Sequence, residues 1–299
     1  MTASTDDLKP PVLGRPSPAA ATAAVLRTRG AAPYAAYRAD GGDGEWCALR
    51  VASVAGVRHR LAGTPVQDGF AWAVDGDRLV VAVADGLGGV PGSDTTATRA
   101  ATAAVEAVMA GRDAGADEVL AAMTAAEQAI RGGRDPGAHR VSAAITAANQ
   151  AARGGGATTI VVAVLERPGD VSLARVGDSS AFLVRVDDAS WEEVFAAPAA
   201  DAIGSTTAAL PADDLQPERA AIRLEGHDVL VLATDGIADP WRDGPATVAP
   251  VLASALAQPP APLELAQLTD FSRQGCHDDR TMLAVWLRQG TTGGLPAER

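Results

Sequence analysis

Short apolar runs separated by turn residues, and one long Ala-rich block between them, set the pattern of this chain. In "RLVVAVADGLGG" (Arg78–Gly89) apolar residues run without a break from Leu79 to Ala84. A run of that length, rich in valine and bounded by turn residues, predicts a buried strand. "GFAWAV" precedes it across "DGD", which predicts a β-hairpin with Asp-Gly in the turn. "CALRVASVAG" alternates as a first strand, with the fold beginning near Trp46. From Ser93 to Ala151 the periodicity becomes helical, and Ser93 or Asp94 can cap the first helix. Breaks at "GRDAGAD" and "RGGRDPG" divide this block into two or three helices. Strand patterns return in "TTIVVAVLE", "VSLARV" and "SAFLVRV", followed by a Pro- and Ala-rich loop from Ala196 to about Pro217. "AAIRLEG", "DVLVLAT", two helical stretches between about Gly244 and Arg273, and a last strand "TMLAVWL" complete the pattern. Strands, one helical block, then strands and helices again predict an α+β domain with antiparallel sheets, and parallel βαβ alternation fits poorly.

Composition refines the boundaries. Residues 1–45 are rich in Ala, Pro, Thr and Gly and read as a disordered, low-complexity extension, with a short helix around Ala19 to Arg27. Residues 46–289 form the folded domain and residues 290–299 a loose tail. A net charge of −12 argues against nucleic-acid or anionic-membrane partners, which need clustered Lys and Arg. No apolar run approaches the ~18–20 residues of a membrane helix. Asp6 and Asp7 stand where a signal peptide would be basic and apolar. Two cysteines, Cys47 and Cys276, make no disulfide framework. A cytoplasmic monomer is expected.

The candidate chemistry lies in aspartates at strand ends. Asp68 just precedes "GFAWAV" and Asp85 ends "LVVAVA". In a hairpin turning near Gly76 they flank the turn almost symmetrically, so antiparallel pairing makes them neighbours. Asp235 ends "DVLVLAT" in the same way, and Asp278 and Asp279 stand before "TMLAVWL". Asp-Gly after one strand is ordinarily a turn. Its repetition beside an Asp-Asp pair points to carboxylates that meet at one edge. Like charges so placed need a counter-charge, and an oxygen-rich set suits Mg²⁺ or Mn²⁺. Gly86, Gly88 and Gly89 do not make a dinucleotide fingerprint, because the third glycine is out of place, and no phosphate-binding G-x-x-x-x-G-K-[ST] occurs.

In order, these motifs resemble the protein phosphatase 2C family of metal-dependent serine/threonine phosphatases. The resemblance rests on "QDGF" (Gln67–Phe70), "VADGLGG" (Val83–Gly89), "GATTIVVAVL" with Thr158 and Thr159, "RVGDSSAFLVR" (Arg175–Arg185), "LATDGIAD" (Leu232–Asp239) and "HDDRTMLAV" (His277–Val285). "GVRHRLAGTPVQD" and "STTAALPADD" look most like a bacterial branch. It implies a four-layer αββα sandwich with two central antiparallel sheets and two metals, Mn²⁺ or Mg²⁺, at one edge. Asp85 would bridge both, with the Gly86 carbonyl on one. Asp68 would support the first, and Asp235 and Asp278 would hold the second. Asp178 would serve a third, weaker site; a plain Gly-Asp hairpin turn is the alternative reading there. The implied reaction is direct attack of a metal-bridging water on phosphoserine or phosphothreonine. The implied partners are phosphoproteins and a serine/threonine kinase of the same signalling pathway.

Two departures stand out. The family's phosphate-binding arginine, five residues before the first aspartate, is Gly63 here, with Arg58, His59 and Arg60 close by. Members that place a histidine after Asp-Gly contrast with Leu87. His59 and Arg60 therefore join Asp85 and Asp68 as catalytic candidates, and His277 is a candidate neighbour of Asp278. A catalytically silent binding module and a hydrolase of small phosphate esters are the alternatives. Retention of Asp68, Asp85, Asp235 and Asp278 together argues against the silent module.

Overall fold

The structure, a computed structural model, describes residues 36–110, 136–188, 190–196, 207–242 and 248–288. In chain order its elements are β1 (Tyr37–Asp43), β2 (Cys47–Val54), α1 (Val57–Ala62), β3 (Gly69–Asp75), β4 (Arg78–Ala84), α2 (Ser93–Ala110) and α3 (Pro136–Ala152). There follow β5 (Ile160–Glu166), β6 (Asp170–Val176), β7 (Ser180–Arg185), β8 (Ser190–Glu193), β9 (Glu218–Arg223) and β10 (Val229–Ala233). α4 (Asp235–Arg242), α5 (Ala249–Ala255), α6 (Pro262–Thr269) and β11 (Arg280–Leu287) close the fold.

Among the described residues the strands pair antiparallel throughout, in two sheets. One has the order β1-β2-β11-β10-β7-β8, the other β3-β4-β5-β6-β9. Side chains alternate across each strand, and here both faces are apolar. On β4, Leu79, Val81 and Val83 enter the layer between the sheets. Val80, Ala82 and Ala84 pack outward on α2 and α3. On β10, Leu230 and Leu232 face inward, while Val229, Val231 and Ala233 join Trp241 of α4, Leu252 of α5 and Leu265 of α6. Helices thus cover both outer faces, which gives the four-layer αββα sandwich and explains why the central strands read as unbroken apolar runs. Small side chains on α2 (Ala97, Ala100, Ala101, Ala104), spaced three and four apart, let it lie close on its sheet.

Four placements differ from the sequence pattern. The fold begins before Trp46, because β1 pairs with β2 from Tyr37↔Val54 to Asp43↔Ala48. "YRADGGD" carries no apolar alternation, and an edge strand of this kind is held by main-chain bonds. α1 is a single short helix ending at Gly63, whose φ of 64° is the left-handed geometry of a helix C-terminus. α4 starts at Asp235 itself, so the carboxylate opens a helix directly after β10. β6 and β7 are not a hairpin: they lie in different sheets, and Gly177–Ser179 crosses between them. Residues 1–35 of the expected extension with the helix at Ala19–Arg27, the helical block's centre (111–135), residues 197–206 of the Pro- and Ala-rich loop and the tail (290–299) lie outside the described residues.

Leu232, fully buried between the sheets, is expected on truncation to Ala to destabilise the fold by about 2–5 kcal/mol in urea unfolding. Leu263→Ala, at a position 80% exposed, should stay within about 0.5 kcal/mol.

Candidate active site

The β3–β4 hairpin turns over Gly76 and Asp77, and its register runs up to Gly69↔Ala84. The next residues outward, Asp68 and Asp85, are therefore brought to one end of the sheet. The Asp85 main chain is pinned by the residues leading into β5. The Thr158 hydroxyl and the Thr159 N–H both donate to the Asp85 carbonyl at 2.8 Å. Gly86 forms an isolated β-bridge with Thr158. Asp68 is 1% exposed and is held from the opposite sheet. The hydroxyls of Thr234 (3.0 Å) and Thr281 (2.7 Å) donate to its Oδ2. Its Oδ1 is buried without a hydrogen-bond partner among the described residues. Arg38 of β1 donates to the Asp68 carbonyl.

The six-stranded sheet supplies the remaining acids. Asp235 opens α4, and Gly236 beside it is required by close approach: a Cβ there would lie 2.0 Å from the Asp279 carbonyl oxygen. That approach brings Asp235 against the segment carrying Asp278. Asp278 is 61% exposed, with Arg58 loosely opposite at 3.9 Å. Asp178 sits on the crossing between sheets. Its Oδ2 accepts from the Thr207 hydroxyl at 3.1 Å, and its Oδ1 is buried without a partner among the described residues.

Burial first, then mutual repulsion, raises these carboxyls. Asp68 is pushed up to about 7 by burial and by Asp279 and Asp235. Asp235 is pushed up to about 7 by burial and by Asp178 and Asp278. Asp85 rises well above the carboxylate range through burial, Asp68 and Asp235, and lies within hydrogen-bond reach of both. Among the described residues no group of three or more His, Cys, Asp or Glu side chains is already set at metal-holding spacing. The donor set still fits a hard divalent cation. It is all oxygen, it leaves buried oxygens unpartnered on Asp68 and Asp178, and it gathers like charge that a cation would offset.

Two candidates from "RHR" separate. Arg60 does not reach the acids: it is 7% exposed, with Nη1 and Nη2 both bonded to Asp270 (3.1 and 2.6 Å) and Nη1 also to the Tyr37 hydroxyl. Its expected contact with a substrate phosphate is not met by this placement; it anchors α1 to the end of α6. His59 does reach this edge, with Nδ1 2.8 Å from both oxygens of Asp279. His277 is placed beside Asp278 by the chain itself, and Gly56 packs against its carbonyl. Arg38, Thr234 and Thr281 carry no signal in the sequence, whereas Asp279 stood there beside Asp278 as a strand-end carboxylate. The two part in the fold: Asp278 stays largely exposed, while Asp279 is buried and accepts the main-chain N–H groups of Gly56 and Gln67.

A family model described as Protein phosphatase 2C matches residues 55–271, ending before Asp278. No curated protein matches the chain. Among solved structures, RsbX in complex with magnesium superposes with a TM-score of 0.53 at 15% identity, covering 84% of this chain and 100% of that one. The Mycobacterium tuberculosis serine/threonine phosphatase PstP/Ppp gives 0.52 at 17% identity, covering 82% and 100%. The S. agalactiae serine/threonine phosphatase gives 0.51 at 17%, covering 81% and 100%. At these identities the likeness is one of fold.

Carboxyls that titrate higher in the folded chain than in the unfolded one bind protons that unfolding releases. Their contribution to stability is therefore fully present below the unfolded carboxylate range and is lost as pH rises through the folded values. In chelator, the thermal midpoint of the unaltered chain should fall relative to that of Asp85→Asn as pH rises from about 5 to about 8. Calorimetry at several pH values checks this, and a difference that stays flat or moves the other way contradicts the electrostatics above.

Proposed function

The chain belongs to the protein phosphatase 2C family, and on that premise we propose that it hydrolyses phosphoserine and phosphothreonine in phosphorylated proteins, using Mg²⁺ or Mn²⁺ at the aspartate cluster. The observation that carries this reading is the gathering of Asp68, Asp85 and Asp235 from two sheets into one buried, mutually repelling group. Asp68, Asp85, the Gly86 carbonyl, Asp235 and Asp278 would hold two ions, with Asp178 available to a third. Bound there, the cations supply a Lewis acid that acidifies water and offsets phosphoryl charge. RsbX, similar in fold, is described in complex with magnesium, which supports a hard divalent cation.

The protein's own part is positioning. Thr158 and Thr159 fix the Asp85–Gly86 main chain, so the side chain and carbonyl keep a defined aim. Thr234 and Thr281 occupy Oδ2 of Asp68, which leaves its unpartnered Oδ1 as the oxygen that would be available to a cation. The Asp178 crossing is tied to α4, because Arg242 donates to the Asp178 carbonyl at 3.4 Å while pairing with Glu193 at 2.7 Å. A phosphoprotein substrate implies a serine/threonine kinase that makes it. No helix among the described residues is long and apolar enough to cross a membrane. We read the chain as a cytoplasmic monomer, a placement that suits the two free thiols.

A phosphothreonine peptide with Mn²⁺ or Mg²⁺ should be turned over, with turnover abolished by EDTA. Asp85→Asn should lower kcat/KM at least ~100-fold and weaken the heat of cation binding in calorimetry. Metal-independent turnover, or full activity in Asp85→Asn, would refute the proposal.

A further inference from the structure

The two sheets end in four edge strands: β1 and β8 on one, β3 and β9 on the other. An edge strand offers unpaired main-chain N–H and C=O groups, and proteins blunt such edges with charge, brevity or proline. Three of the four are blunted. β1 carries Arg38, Asp40 and Asp43, β8 is four residues long with two glutamates, and β9 carries Glu218, Arg219 and Arg223. β3 (GFAWAVD) is not: it has no proline, and no charge before its last residue, Asp75. Among the described residues β3 pairs with β4 alone. Register decides which of its groups are left over. The Thr159 N–H donates to the Asp85 carbonyl, so by alternation Asp85, Val83 and Val81 turn their main-chain groups to β5. Ala84, Ala82 and Val80 therefore bond to β3, at Gly69, Ala71 and Ala73. Phe70, Trp72 and Val74 turn their N–H and C=O groups the other way, to the free edge. The same three residues bring apolar side chains to it. Phe70 and Trp72 stack with ring centroids 6.2 Å apart and are only partly buried against the layer between the sheets, and Val74 is 59% exposed.

This edge is continuous with the acid cluster, because β3 starts at Gly69, the residue after Asp68. We propose that it docks the substrate: an extended segment of the phosphoprotein adds to β3 as a further antiparallel strand and so brings its phosphorylated residue to the aspartates. This rests on the phosphatase reading above. Every strand pair in both sheets is antiparallel, and the added strand follows that rule. β3 runs away from Asp68, so its antiparallel partner runs toward the acids. The docked residues therefore lie on the N-terminal side of the phosphoserine or phosphothreonine, over about seven positions at ~3.4 Å each. Those opposite Phe70, Trp72 and Val74 exchange main-chain bonds with them and place their side chains on the same face, which selects apolar residues at alternate positions. Main-chain bonds give a contact of this kind its strength, and the alternate side chains give it selectivity.

The test uses the full chain with Mn²⁺ and phosphothreonine peptides that carry seven residues of alternating isoleucine and serine either before or after the phosphothreonine. In the better of its two alternating registers, the N-terminal extension should lower KM at least about tenfold relative to the C-terminal one. Methylating the main-chain nitrogens of its isoleucines should erase that advantage, and methylating those of its serines should spare it. Val74→Pro removes an edge donor without touching the bonds to β4, and should bring the two peptides within about twofold of each other. Val74→Lys should act in the same direction, and the methylated peptides alter no residue of the protein. Equal KM values for the two peptides, an advantage that survives Val74→Pro, or equal effects of the two methylations would each overturn the proposal. So would a chain that sediments as a dimer and becomes monomeric in Val74→Pro, since a second copy would then hold the edge. Turnover of p-nitrophenyl phosphate and of both peptides without preference sinks this inference alone, whereas turnover of none of them with Mg²⁺ or Mn²⁺ removes the phosphatase reading first.

Discussion

Asp68 carries a carboxyl out of water with one oxygen unpartnered, a placement that costs several kcal/mol for a charged group unless something offsets it. The site end is arranged around that burden. Two threonine hydroxyls from the other sheet and an arginine on the edge strand bear on this one residue. Asp85 and Asp235 repeat the problem, Asp85 under the charges of Asp68 and Asp235, and Asp235 under those of Asp178 and Asp278. The acids stay together because the chain gives them no alternative. A hairpin register, a helix that begins at Asp235 and a crossing at Asp178 each deliver a carboxyl to the same edge.

The elements that could be read from the sequence are those whose physics is local. β4, β5 and β10 are apolar on both faces, so their runs are continuous and their burial follows. The two-residue turn at Gly76 fixes register, and with it the opposition of Asp68 and Asp85. What escaped depends on distant partners. β1 exists because β2 offers it a main-chain ladder, and its own residues barely suggest a strand. Nothing within "ARVGDSSAF" says that β6 and β7 join different sheets. "RHR" offers three cations, and only the fold decides that Arg60 meets Asp270, far along the chain, while His59 meets Asp279.

The threonines show how a sandwich can be closed at one end by polar groups. Thr234 and Thr281 are fully buried, Thr234 just past the end of β10 and Thr281 on the adjacent β11. The Thr281 N–H donates to the Thr234 hydroxyl oxygen at 3.0 Å, and both hydroxyls converge on Asp68. Between the sheets the layer beneath is built of apolar side chains. Here the sheets are joined by directional bonds, which fix one relative position rather than merely favouring contact.

The two sheets each contribute part of the site: Asp68 and Asp85 from one, Asp235 and Asp278 from the other. Its width is therefore inherited from the dry layer beneath it. Val83 and Val161 on one side, and Leu232, Leu283 and Ala181 on the other, act as shims at the end nearest the acids. A methylene gained or lost there would be felt outside the core as a change in the gap between charges. Residues that hold no charge are thus the gauge by which the charged ones are set, and drift in this part of the interior is restrained by chemistry more tightly than by stability.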